Sequence, residues 1–114
     1  MERRIVIFLS RADDVAVRLA GSCALTAAAS GDRVDVFLLG GAVQAVVEAA
    51  DEPDAAGRRL LQARAAGTCR LLACSESLVE SGIDPGVAQQ VVDAVVGWPT
   101  IAEWTRGVVD RFFF

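Results

Sequence analysis

The sequence predicts a single-domain α/β protein over residues 1–114, a three-layer α/β/α fold on a mainly parallel five-stranded sheet. Three observations carry this. Short β-branched and aromatic runs alternate with segments of helical spacing, every connection between runs is long enough for a crossover, and no Pro/Gly/Ser-rich linker divides the chain into two cores.

The elements follow in order. Residues 4–10, Arg-Ile-Val-Ile-Phe-Leu-Ser, form an apolar run of the kind found in a strand covered on both faces. Between residues 12 and 30, Val15, Ala16, Leu19, Ala20, Cys23, Ala24 and Ala27 recur at helical spacing, and Gly31 is the C-cap. Residues 33–39 are the second strand, closed by Gly40 and Gly41, after which Val43, Val46, Val47 and Ala50 mark a short helix. Beyond Asp51-Glu52-Pro53, Asp54 is placed to cap a helix that carries Leu60 and Leu61 and stops at Gly67. Residues 69–74 make the third strand, and a brief helix over 76–81 ends at Gly82. Asp84 and Pro85 restart the chain as N-cap and first helical residue. Residues 91–96 are the fourth strand, Thr100 and Glu103 have capping-box spacing for a helix with Ile101 and Trp104, and residues 108–113 are the fifth strand.

The composition removes whole reaction classes. There is no His, Lys, Tyr or Asn, so a Ser-His-Asp triad, a Cys-His pair, an imidazole metal ligand, a Schiff base and a P-loop lysine are all excluded. No metal site and no cofactor is expected. A net charge of −4 argues against direct nucleic-acid binding, which needs a basic patch to neutralise phosphates. No apolar run approaches the ~20 residues of a membrane span, and the five apolar residues after Arg4 are too few for a signal peptide, so a cytoplasmic location is expected. Three cysteines without a CxxC spacing support neither a disulfide framework nor a zinc site.

Ligands of parallel sheets bind outside the carboxyl ends of the strands. The residues there are Ser10 and Arg11, Gly40 and Gly41, Cys74 and Ser75, and Gly97, Trp98 and Thr100. Cys74 stands where the third strand passes into a helix, a placement that favours thiolate, with Glu76 opposing the shift and Arg11 as the nearest offsetting cation. Packing alone would also account for a cysteine there. Cys23 belongs to the helix stripe. Cys69 begins the strand that Cys74 ends, roughly 16 Å away at ~3.3 Å per residue, beyond the ~7 Å Cα limit of a disulfide. Gly40-Gly41 could bring amides close to an anion, but such glycines also serve plain turns. Asp13 and Asp14 suit the first turn of the first helix, and Trp98 with the terminal Phe112-Phe113-Phe114 points to an interface with another subunit.

The stretch Ala73-Cys74-Ser75-Glu76-Ser77-Leu78, with Gly82-Ile83 beyond it, resembles the cysteine motif of DsrE/DsrF-like proteins. The early Ile-Val-Ile-Phe-Leu run, the Val36-Phe37-Leu38-Leu39-Gly40 segment, Val96-Gly97 with Thr100, and the hydrophobic last strand are similar too. Ser10-Arg11-Ala12-Asp13 departs from the glycine turn of many members. The resemblance implies a sulfur-relay protein, a sulfurtransferase or sulfur carrier, that holds sulfane sulfur as a persulfide on Cys74. It also implies a homo-oligomer, a trimer or hexamer, with donor and acceptor proteins as partners. Two alternatives remain: a non-catalytic subunit of the same fold, and a small-ligand or nucleotide binder using Gly40, Gly41 and the helix start near Thr100.

Overall fold

The structure is a computed structural model that describes residues 3–107 and 110–114. In chain order the elements are β1 (Arg4–Leu9), α1 (Asp14–Ala29), β2 (Arg33–Leu38), α2 (Ala42–Ala49), α3 (Arg58–Ala65), β3 (Cys69–Cys74), α4 (Ser75–Ser81), α5 (Pro85–Ala88), β4 (Ala94–Val96), α6 (Trp98–Trp104) and β5 (Asp110–Phe113). The five strands pair in the order β4-β3-β2-β1-β5, and every pairing is parallel.

This order explains an uneven covering of the two faces. From β1 to β4 each crossover steps in one direction along the sheet, and the last returns across three strands to β5. With right-handed crossovers, a reversal of direction moves the connecting helix to the opposite face. Accordingly Ile5, Ile7, Leu9, Val34, Val36, Leu38 and Leu71 point toward α1, α2 and α3, with Leu78 and Ala88 completing the larger core. The other face carries Val6, Phe37, Leu72 and Val96 under Ile101 of α6. Among the described residues the second helical layer is therefore α6 alone.

Local chemistry sets the boundaries. Asp13 is the N-cap of α1, its carboxylate accepting the Ala16 amide at 3.1 Å, and Asp14 lies in the first turn. The buried stripe of α1 is Ala16, Val17, Ala20, Gly21, Ala24 and Ala27, which corrects the expected one: Val15 and Leu19 face outward. Close packing rotates the helix. A β-carbon on Gly21 would lie 2.6 Å from Cβ of Arg59, so the smallest side of α1 must face α3.

Other expected ends also shift. Gly57 precedes α3 in place of Asp54, because the chain there passes within contact of Ala45, Val46 and Ala49 of α2. The fourth strand keeps only Ala94–Val96. Asp93 donates its amide to the Leu71 carbonyl and takes the Leu71 amide on its carboxylate, while Val91 and Val92 are buried in the turn before it. Gly97 precedes α6, and Pro99 lies in its first turn, so Thr100 is the third helical residue and makes no cap. Of the expected last strand, residues 108 and 109 lie outside the described residues.

One buried charge sits on the thinly covered face. Asp35 in the middle of β2 is 3% exposed and receives Arg4 at 2.8 Å and Arg70 at 2.9 and 3.1 Å. The Arg70 guanidinium also lies 4.8 Å from the centre of the Trp104 ring. Burial alone would raise the Asp35 carboxyl, but the hydrogen bonds from Arg70 and Arg4 outweigh it and hold the group below the usual carboxylate range.

A depressed carboxylate stabilises the fold above its unfolded pKa of about 3.9, and the contribution disappears as pH falls through the lower folded value. Urea denaturation across pH should therefore show a decline below about pH 4. Asp35→Asn should cost about 3–5 kcal/mol at neutral pH, as expected when one partner of a buried ion pair is removed. A loss under 1 kcal/mol would show that the cluster is not a stabilising unit.

Candidate functional site

Cys74 is the last residue of β3 and the N-cap of α4. It points to the same sheet face as Leu72 and pairs in register with Val96 of β4. After β3 the chain turns to the larger helical layer, and after β4 it turns to α6 on the other face. Adjacent strands whose exits diverge in this way form the topological switch point of a parallel sheet, the usual location of a ligand crevice. Ser75 and Gly97 approach each other at this point: a β-carbon on Gly97 would lie 3.7 Å from the Ser75 hydroxyl oxygen. A larger residue at position 97 would narrow the gap.

Cys74 is 2% exposed, and its thiol makes no hydrogen bond to the first amides of α4. Arg11 does not serve it, since its Nε is 2.8 Å from Asp13 Oδ1. The Ala16 amide, ahead of the Arg11 charge, holds Asp13 below the usual carboxylate range. The thiols of the other two cysteines are shifted away from thiolate. Burial pushes the Cys23 thiol up, and burial with the charges of Asp93 and Asp35 pushes Cys69 up to about 12. All three cysteines are free thiols.

Ser10 and Trp98, two of the expected site residues, are brought together with Phe8, Leu39, Arg111 and Phe113 around a cavity of about 380 Å³. It opens on the face of the sheet to which Cys74 points. Phe8 stacks on Phe37 at 5.5 Å and on Phe113 at 5.1 Å, which builds one wall. The Ser10 hydroxyl donates to the Phe114 carbonyl at 3.2 Å, fixing the end of β5 against the end of β1.

Gly40 and Gly41 form the turn itself. Gly40 has φ +55°, and Gly41 lies so close to Ala12 that a β-carbon would come within 3.0 Å of the alanine methyl. The Gly40 amide donates to Ser77 Oγ at 2.7 Å, so it is engaged within the protein. Ser77 was not singled out from the sequence. It is buried, and its single hydroxyl ties α4 to the exit of β2. In the sequence Ser77 is visible as part of the Ala73–Leu78 motif, which carries no sign of the distant partner.

The arrangement defines a class: a small domain with an all-parallel sheet and a cysteine at its switch point. The DsrE/DsrF-like family model matches residues 3–108, and the protein belongs to that family. Among solved structures, the crystal structure of the ychN protein from E. coli superimposes with a TM-score of 0.64, covering 100% of both chains at 17% identity, and thus shares the fold. A comparison with curated protein sequences finds no match.

Ser77→Ala should leave the Gly40 amide without its acceptor, lower stability by about 1–2 kcal/mol, and speed alkylation of Cys74 severalfold as α4 loosens. Iodoacetamide labelling followed by peptide mapping reads this. Unchanged labelling would show that Ser77 does not control access to the thiol.

Proposed function

We propose that this protein is a small cytoplasmic sulfur carrier that holds sulfane sulfur as a persulfide on Cys74. The observation that carries this reading is the position of Cys74 at the β3/β4 switch point, the single cysteine at the carboxyl edge of the sheet. Membership of the DsrE/DsrF-like family supports it. So does the chemistry of the other thiols, which burial holds protonated.

The cycle balances without a cofactor. The Cys74 thiolate attacks the outer sulfur of a donor persulfide, the donor S–S bond breaks, and the donor leaves as thiolate. An acceptor thiolate then attacks the outer sulfur of the Cys74 persulfide, and Cys74 leaves as thiolate. Neither step needs His or Lys. Because Cys74 is 2% exposed, transfer requires α4 or the Gly97 turn to open.

That same burial favours a second reading, a non-catalytic subunit in which Cys74 only packs. Incubation with a persulfide donor separates the two. The carrier gains the mass of one sulfur at Cys74, reversed by cyanide or a reductant, and Cys74→Ser abolishes loading while Cys23→Ser does not. Absence of loading with several donors, or equal loading of Cys74→Ser, would leave the non-catalytic reading.

The working form is proposed as a homo-oligomer, a trimer or hexamer as in the family. On the flank of α1 and the edge strand β5, Val15 and Leu19 are 65% and 53% exposed, and Phe112 and Phe113 are 40% and 73% exposed. Two shallow clefts join this flank, one lined by Leu19 and Phe114, the other by Cys23 and Phe112. Leu19→Glu should reduce the mass measured by sedimentation at micromolar concentration. A wild type that sediments as a monomer at every concentration would remove the proposal.

A further inference from the structure

We infer that the cleft between α3 and the segment entering β4 binds a small phosphate-bearing molecule. Its volume is about 540 Å³, within the range that small-molecule sites occupy. It lies at the start of β3, where Cys69 forms part of its wall, and so at the edge of the sheet opposite Cys74. The inference is independent of persulfide chemistry.

The charged valences left free in the wall are those of donors. Arg58 contributes one hydrogen bond, from Nη1 to the Ala49 carbonyl at 3.3 Å, and forms no ion pair with a carboxylate among the described residues. Arg64 uses Nε on Asp93 at 3.1 Å, leaving both Nη groups for a ligand. Asp93 is the one carboxylate lining the cleft, and both of its oxygens already accept: Oδ1 from Arg64 and Oδ2 from the Leu71 amide at 2.8 Å. The charge of Arg70, also at this edge, is matched by Asp35 on the sheet face.

Three arginines thus line the cleft against one committed carboxylate, and with Arg70 paired to Asp35 the two that keep free donors are Arg58 and Arg64, in a chain whose net charge is −4. A guanidinium recognises phosphate through paired N–H donors and stays charged at every accessible pH. Leu61 and Val91 supply apolar surface beside these donors, which suits a phosphate attached to an organic body. The Gly40-Gly41 turn offers no such set, since the Gly40 amide is taken by Ser77.

The test is a ¹H–¹⁵N NMR titration with adenosine monophosphate and with inorganic pyrophosphate. Adenosine, and sodium chloride at matched ionic strength, are the controls. Saturable shifts are expected in residues 58–66 and 90–93, with affinity at least tenfold weaker in Arg58→Gln and in Arg64→Gln, and unchanged in Arg18→Gln on the outer side of α1. Arg58 has no carboxylate to strand, so its variant keeps the fold. Four results would overturn the inference: equal shifts with sodium chloride, equal binding of adenosine, undiminished binding in Arg58→Gln, or shifts centred on Gly40, Gly41 and Gly97.

Discussion

Asp35 is the constraint on which the rest of the exposed sheet face depends. A carboxylate in the middle of a central strand costs several kcal/mol to dehydrate unless cations reach it from both sides. Arg4 of β1 and Arg70 of β3 do so, and both hydrogen bonds require their side chains to point to the face that Asp35 occupies. A slip of one residue in either strand would send the arginine to the opposite face. Because Arg70 also lies against Trp104, the cluster reaches beyond the sheet and holds the end of α6. Gly97 precedes α6 and Trp98 begins it, so the ion cluster at one end of this face bears on the switch point at the other.

The face divides along the strands. Toward the strand starts it is ionic, with Arg4, Asp35 and Arg70; toward their carboxyl ends it is aromatic, with Phe8, Phe37 and Phe113 in offset stacks. A lone seven-residue helix could not bury a fully apolar sheet face. Charge satisfied by charge removes half of that requirement. The aromatic half is left partly open around the 380 Å³ cavity, with Phe113 73% exposed at its rim.

The strands β1, β2 and β3 are legible to within a residue because buried parallel strands are nearly continuous apolar runs with polar or glycine residues at their ends. The switch point was legible only as a set of carboxyl-edge residues, since strand order is not written in local pattern. The errors share a cause. Val91 and Val92 look like a strand but are buried in a turn that Asp93 fixes through Leu71, and periodicity does not separate the two. The rotation of α1 was missed because Gly21 marks the contact by having no side chain. Pro99 suits the first turn of α6 and outweighs the capping-box spacing of Thr100 and Glu103. Asp35, flanked by valines in a strand, was a visible anomaly whose partners lay 31 and 35 residues away.

Burial of Cys74 bears on the proposed relay in a definite direction. An exposed persulfide meets every thiol and oxidant in solution, whereas one enclosed at the sheet rim reacts only when the rim opens. Of the two elements that could open, α4 is seven residues long, closed at its far end by Gly82 in a left-handed conformation and tied to the β2 exit through Ser77. Short elements with few ties open at the lowest local free energy, far below that of global unfolding. A partner docked at this corner could compete for the Gly40 amide or the Ser77 hydroxyl and release the helix without disturbing Asp35 and its arginines. Access to the sulfur and integrity of the sheet would then be controlled by separate interactions, one hydrogen bond at the carboxyl edge and one ion cluster toward the strand starts.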